Sequence, residues 1–131
     1  MWNRSSRKSS KEKFTSAQQA YDCALNLLSY RDFSKQKMQE RLQQKGADEE
    51  QAEEAIEKLE SYGLINDERY AGRVFEAWLN KRCYGRQHLA AELAKRGIDS
   101  ELSQEIMARF TPELEAEHAA CAAKLLSLIH I

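Results

Sequence analysis

The chain is poor in the residues that bend a backbone. Its 131 residues include one proline and five glycines, too few for the tight turns of a β-rich domain, so an all-α fold is the starting expectation. No apolar run is long enough to cross a membrane, and the N-terminus lacks the apolar segment of a signal peptide. Charge of one sign is missing as well. Twenty Lys and Arg stand against 21 Asp and Glu, a net charge of −1, which argues against a protein built chiefly to bind nucleic acid. With a mean hydropathy of −0.73, these absences point to a cytoplasmic protein with a well-solvated surface.

The usual carriers of chemistry are scarce too. The glycines at 46, 63, 72, 85 and 97 are isolated, so no glycine-rich loop can cradle a phosphate. His88, His118 and His130 have no Cys or carboxylate at a metal-ligand spacing. Cys23, Cys83 and Cys121 are odd in number and far apart, which predicts three reduced, largely buried thiols. A nucleophilic Cys23 or Cys83 would need a histidine beside it. Adjacent acids such as Glu49-Glu50 and Glu53-Glu54 point different ways on a helix. The expectation is a protein that is not an enzyme and holds no metal or cofactor.

What the chain does have is a repeat. Residues 31–59 match residues 82–110 at a fixed offset of 51 without a gap: Arg31 with Arg82, Gln36 with Gln87, Leu42 with Leu93, Gly46 with Gly97, Asp48 with Asp99 and Glu54 with Glu105. Lys35/Arg86, Phe33/Tyr84 and Leu59/Phe110 are conservative matches. A period of this size predicts stacked helical units that offer an extended surface to a partner.

Apolar spacing and cap chemistry place the helices. Tyr21, Ala24, Leu25 and Leu28 mark a first helix over about Ser16–Tyr30, and Ser34 caps a second with Met38 and Leu42 inward and Gly46 at its end. Asp48 and Gln51 form a capping box for a third, facing inward through Ala52, Ala55, Ile56, Leu59 and Tyr62. Asn66 or Asp67 caps a fourth, whose stripe of Tyr70, Ala71, Val74, Phe75, Trp78 and Leu79 predicts the most buried helix of the chain. Gly85 opens a fifth and Asp99 or Ser100 a sixth. Thr111-Pro112 starts a seventh, with Leu114, His118, Cys121, Ala122, Leu125 and Ile129 inward.

The organisation expected is a basic, disordered tail over 1–15, three-helix repeats over 16–63 and 64–110, and the first helix of an incomplete third repeat over 111–131. The apolar end from Leu125 is unlike a terminal repeat and looks truncated or foreign.

Charge follows the repeat. The second helix of each unit is basic and the third acidic. Acids at helix starts and bases at helix ends suit the helix dipole and need no partner. Arg31/Arg82 and Lys35/Arg86 lie at helix starts, where that account fails. The expected contact surface comprises Arg31, Lys35, Lys37, Arg41, Arg69, Arg73, Lys81, Arg82, Arg86, Lys95 and Arg96. The aromatic residues Phe33, Tyr62, Tyr70, Trp78 and Tyr84 read as packing before base stacking.

Three segments in order carry a family resemblance. Ala24-Leu25-Asn26-Leu27-Leu28-Ser29-Tyr30-Arg31-Asp32-Phe33-Ser34, Gly63-Leu64-Ile65-Asn66-Asp67-Glu68-Arg69-Tyr70-Ala71, and Gly85-Arg86-Gln87-His88-Leu89 through Leu93-Ala94-Lys95-Arg96-Gly97-Ile98 resemble the signatures of RecX regulatory proteins over about residues 20–110. Asn66-Asp67 stands where a pair of aspartates is commoner, and a complete third unit is missing. The resemblance implies tandem three-helix repeats in an elongated, curved stack and a bacterial cytoplasmic monomer. It further implies binding to the RecA recombinase filament, with DNA nearby, and inhibition of strand exchange, ATP hydrolysis and co-protease action, hence a role in recombination, DNA repair and the SOS response. The alternative from another class is a DNA-binding helical module with a basic recognition helix.

Overall fold

The structure is a computed structural model that describes residues 13–81 and 83–129. Within these residues seven helices and no strand occur: α1 (Ala17–Leu28), α2 (Lys35–Lys45), α3 (Glu49–Ser61), α4 (Asp67–Lys81), α5 (Arg86–Lys95), α6 (Ser100–Ala108) and α7 (Pro112–Ile129). The all-α repeat expected from the sequence is the fold observed. The chain divides after Asp67 into two compact units. Most of the predicted basic tail, and Arg82, lie outside the described residues.

In the first unit α1 and α2 pack on α3. The core holds Ala20 and Ala24 from α1, Met38 and Leu42 from α2, and Ala52, Ala55, Ile56 and Leu59 from α3, with Phe33 and Ile65 from the flanking loops. Each set recurs at three- and four-residue spacing, so every helix buries one stripe. Two expected core residues face water instead: Leu25 is exposed, and Tyr62, which follows the last turn of α3, is 63% exposed. Tyr62 is the C-cap at which α3 ends, and its side chain lies beyond the packed part of the stripe.

Local capping behaves as the residue types require. Ser34 Oγ accepts from Lys37 N at 3.1 Å, and the Asp48–Gln51 box closes in both directions at 2.7 and 3.0 Å. Gly46 and Gly97, one offset apart, end their helices at φ +128° and +82°, where a Cβ is disfavoured. Phe14, assigned to the basic tail by the sequence reading, is tied to the first unit. Phe14 N donates to Gly46 O at 2.8 Å, Phe14 O accepts from Gln51 Nε2 at 3.0 Å, and the ring packs against the first core.

Asp67 also works away from its own helix: its Oδ1 accepts from Lys35 N at 2.8 Å, joining Ser34 in capping α2. The carboxylate meets the positive end of that helix, a charge-assisted bond. Replacing Asp67 with alanine is expected to lower the stability of the first unit by about 1–2 kcal/mol, with Asp67→Asn losing less; denaturant unfolding followed by circular dichroism measures both.

In the second unit α5 packs on α6, and Ala71, Val74, Phe75 and Trp78 of α4 join Leu89, Leu93, Ile98, Ile106 and Phe110 in the core. α4 supplies Phe75 and Trp78, yet it buries four residues, no more than α3, so it is not the most buried helix that its stripe predicts. Trp78 is the centre of the aromatic contacts: it lies edge-on to Phe110 at 5.0 Å, stacks with His118 at 5.1 Å, and donates from Nε1 to His88 Nδ1 at 2.9 Å. Thr111 Oγ1 accepts from Leu114 N at the start of α7, Leu114 packs on the second core, and His118 is 5% exposed. Leu125, expected inward, is 50% exposed. The side chain of Ile129 lies outside the described residues.

The thiols differ from expectation. Cys83 and Cys121 form a disulfide, with Cα atoms 4.9 Å apart, and only Cys23 is free. The 38 residues between them fit no familiar spacing, but α7 runs back over the α4–α5 turn and brings them together. Burial pushes the Cys23 thiol up, against the pull of Lys45 and Arg41. That direction is opposite to what an activated nucleophile needs.

Candidate partner-binding surface

The outer face of α4 carries Tyr70, Arg73, Ala77 and Lys81 at spacings of three and four, so their side chains line one side of the helix. Opposite them stand Glu92 of α5 and Arg96, its C-cap, and the eight residues Tyr70, Arg73, Val74, Ala77, Trp78, Lys81, Glu92 and Arg96 line a cleft of about 190 Å³. Its floor is apolar, because Val74 and Trp78 turn their inner sides into the core. Its rim is cationic.

Arg96 is held in place. Its Nε and Nη2 donate to Glu92 Oε2 at 3.1 and 3.0 Å. The hydrogen bond with Tyr70, and after it the pairing with Glu92, raise the guanidinium pKa, while partial burial opposes them. The group is charged at any pH of interest, and its planar fork is oriented before any partner arrives.

Of the predicted contact residues, the structure gathers Arg73, Lys81 and Arg96 here. Arg69 and Lys95 are exposed on the same helices but do not line the cleft. On the first unit Arg41 is exposed, Lys37 pairs with Glu40 at 3.6 Å, and Arg31 lies over the Phe33 ring at 4.5 Å.

Lys35 and Arg86 have structural work, contrary to the reading that none was available to them. Lys35 Nζ meets Glu60 Oε2 of α3 at 3.0 Å. Arg86 donates to Met107 O and Phe110 O at 3.3 and 2.8 Å, and its Nη2 meets Glu115 Oε1 at 3.2 Å. In both units the cation at the start of the second helix ties down the end of the third. For Arg86 the acceptors are carbonyls at and just past the end of α6, one of which, Met107 O, also accepts from Phe110 N.

Sequence reasoning missed Glu92 as the residue that orients Arg96, and read Tyr70 and Trp78 as packing before base stacking. The i, i+3, i+7, i+11 run from Tyr70 to Lys81 was the available signal. It was hidden because apolar and basic residues share that face.

Fold and surface together define a tandem three-helix repeat protein. The chain belongs to the RecX family: the family models described as "RecX, first three-helix domain" and "RecX, second three-helix domain" match residues 20–59 and 66–107. It is similar to the "Regulatory protein RecX" of Syntrophotalea carbinolica, 50% identical over 52 residues (40% of this chain and 34% of that one), and of Trichlorobacter lovleyi, 34% identical over 96 residues (71% and 62%). Among solved structures it resembles the crystal structure of RecX from Lactobacillus salivarius, with a TM-score of 0.80 and 27% identity over 87% of this chain and 74% of that one. The chain thus spans less than two thirds of the length of those two curated relatives. No described helix is long and apolar enough to cross a membrane.

Proposed function

We propose that this chain regulates a RecA-type recombinase by binding its DNA filament and inhibiting strand exchange, ATP hydrolysis and co-protease action, as a cytoplasmic monomer. The observation that carries the reading is the cleft where Arg73, Lys81 and Arg96 surround an apolar floor. Such a site suits an acidic, partly apolar patch on a protein. Arg31, Lys37 and Arg41 add cations on the first unit, and a repeated surface suits a partner that is itself periodic.

Register supports reading α7 as the first helix of a third repeat. His118 stands one offset of 51 beyond Asp67, and both bond to the loop or first turn that opens the second helix of a unit, at Tyr84 O and Lys35 N.

The test is recombinase ATPase activity on single-stranded DNA with rising amounts of this chain. The triple variant Arg73→Glu, Lys81→Glu, Arg96→Glu is expected to raise the half-inhibiting concentration at least about tenfold, a loss of about 1.4 kcal/mol, with helicity unchanged. Undiminished inhibition by the folded variant removes the cleft from the interface. Tight, sequence-selective binding to duplex DNA without recombinase would instead favour a DNA-binding module.

A further inference from the structure

We propose that the Cys83–Cys121 disulfide is a reducible clasp that determines whether the outer part of α7 is held against the second unit. The inference stands on where the bond sits. Cys83 lies in the turn between α4 and α5, and Cys121 lies on α7 one turn beyond His118, the last described side chain of that helix to be buried. Past Ala122 the residues at 123–128 are all exposed. Among the described residues, the tie that reaches furthest along α7 is therefore the sulfur bond.

The backbone at Cys83 points the same way. It is the one described non-glycine residue with positive φ, at +64°, a conformation a residue with a Cβ seldom adopts without being held there. What holds it is next door. His118 Nδ1–H donates to Tyr84 O at 2.7 Å, and the Tyr84 ring stacks on His88 at 4.0 Å. Both cysteines are only half-buried, so a small thiol can reach them.

The exchange is balanced with a dithiol reductant. One thiolate of the dithiol attacks a sulfur of the pair and forms a mixed disulfide, releasing the other cysteine as thiolate. The second thiolate of the dithiol then displaces the remaining cysteine. Two electrons pass to the protein, two protons are taken up, and the reductant leaves as its own disulfide. A small-molecule disulfide of the glutathione class reverses the sequence. Reduction leaves the His118 and Glu115 bonds in place, so α7 should open from its far end inward.

The experiment uses the whole chain without recombinase, so its outcome is independent of the functional reading above. After equilibration with glutathione disulfide, iodoacetamide under denaturing conditions should add one label, at Cys23, and after dithiothreitol three. Hydrogen exchange of amides over 119–128 should quicken about tenfold or more on reduction, with α1–α3 unchanged. Cys121→Ser should exchange like the reduced protein and ignore dithiothreitol, whereas Cys23→Ser should keep the response. If the serine variant does not fold, reduced and oxidised wild type are compared directly. Three labels after equilibration with glutathione disulfide, or equal exchange of α7 in both states, overturns the proposal.

Discussion

Truncating Trp78 to alanine is expected to destabilise the second unit by about 3–5 kcal/mol, the range for deleting a large aromatic side chain from a packed core. Trp78 is 1% exposed and heads the largest fully buried side chains. Phe75, His88, Phe110 and His118 all lie within 6.4 Å of its ring, so the hole left behind is bounded on several sides and cannot collapse easily. His88 Nδ1 would also lose its donor. Trp78→Phe keeps most of the packing while removing the N–H bond and the smaller part of the ring system, so its cost should fall well below that of alanine, at about 1–2 kcal/mol. Against a typical total of about 5–15 kcal/mol for a domain, the alanine variant should leave the second unit marginal. The first core shares no residue with the second. Site-resolved hydrogen exchange in urea should therefore show α4–α6 losing protection while α1–α3 retain it. Equal loss in both units would mean that they unfold as one.

What could be read from the sequence was whatever is decided within one turn of helix. Ser34, the Asp48–Gln51 pair, Asp99 and Thr111 cap through bonds to a backbone amide three residues on, so residue type and spacing suffice. The glycine stops and the buried stripes of α2 to α6 follow from the same local geometry. The failures share a different cause. Asp67 reaches back 32 residues to Lys35, Arg86 forward 24 to Phe110, and Cys83 forward 38 to Cys121. Such pairings depend on how helices cross, which periodicity within each helix does not encode. Arg86 shows how this misleads functional reading. A cation at a helix start looks unexplained until the carbonyls of Met107 and Phe110, where α6 ends, are seen in front of it. The cleft lies between these extremes: its α4 side has a readable register, while the placement of Glu92 and Arg96 opposite it depends on packing.

The second large effect concerns the sulfur link. Joining residues 38 apart restricts the unfolded chain, and the chain-entropy relation puts the stabilisation at about 4 kcal/mol at 25 °C. Reductant, or Cys121→Ser, should lower the unfolding free energy of the second unit by about that amount, and reductant should do nothing further to the serine variant. Substitution at Cys83 separates the unfolded-chain contribution from that of its backbone. Both Cys83→Ser and Cys83→Gly abolish the link, yet at φ +64° the serine still carries a Cβ into left-handed backbone, whereas glycine does not. If the turn keeps its conformation without the sulfur bond, Cys83→Gly should be the more stable by about 1 kcal/mol. Equal stability of the two would mean that the turn relaxes once the link is gone. In that case the left-handed residue is maintained by the disulfide itself, and the hydrogen bond from His118 to Tyr84 O should weaken in the same variants, visible as a shift of the His118 imidazole nitrogen resonances.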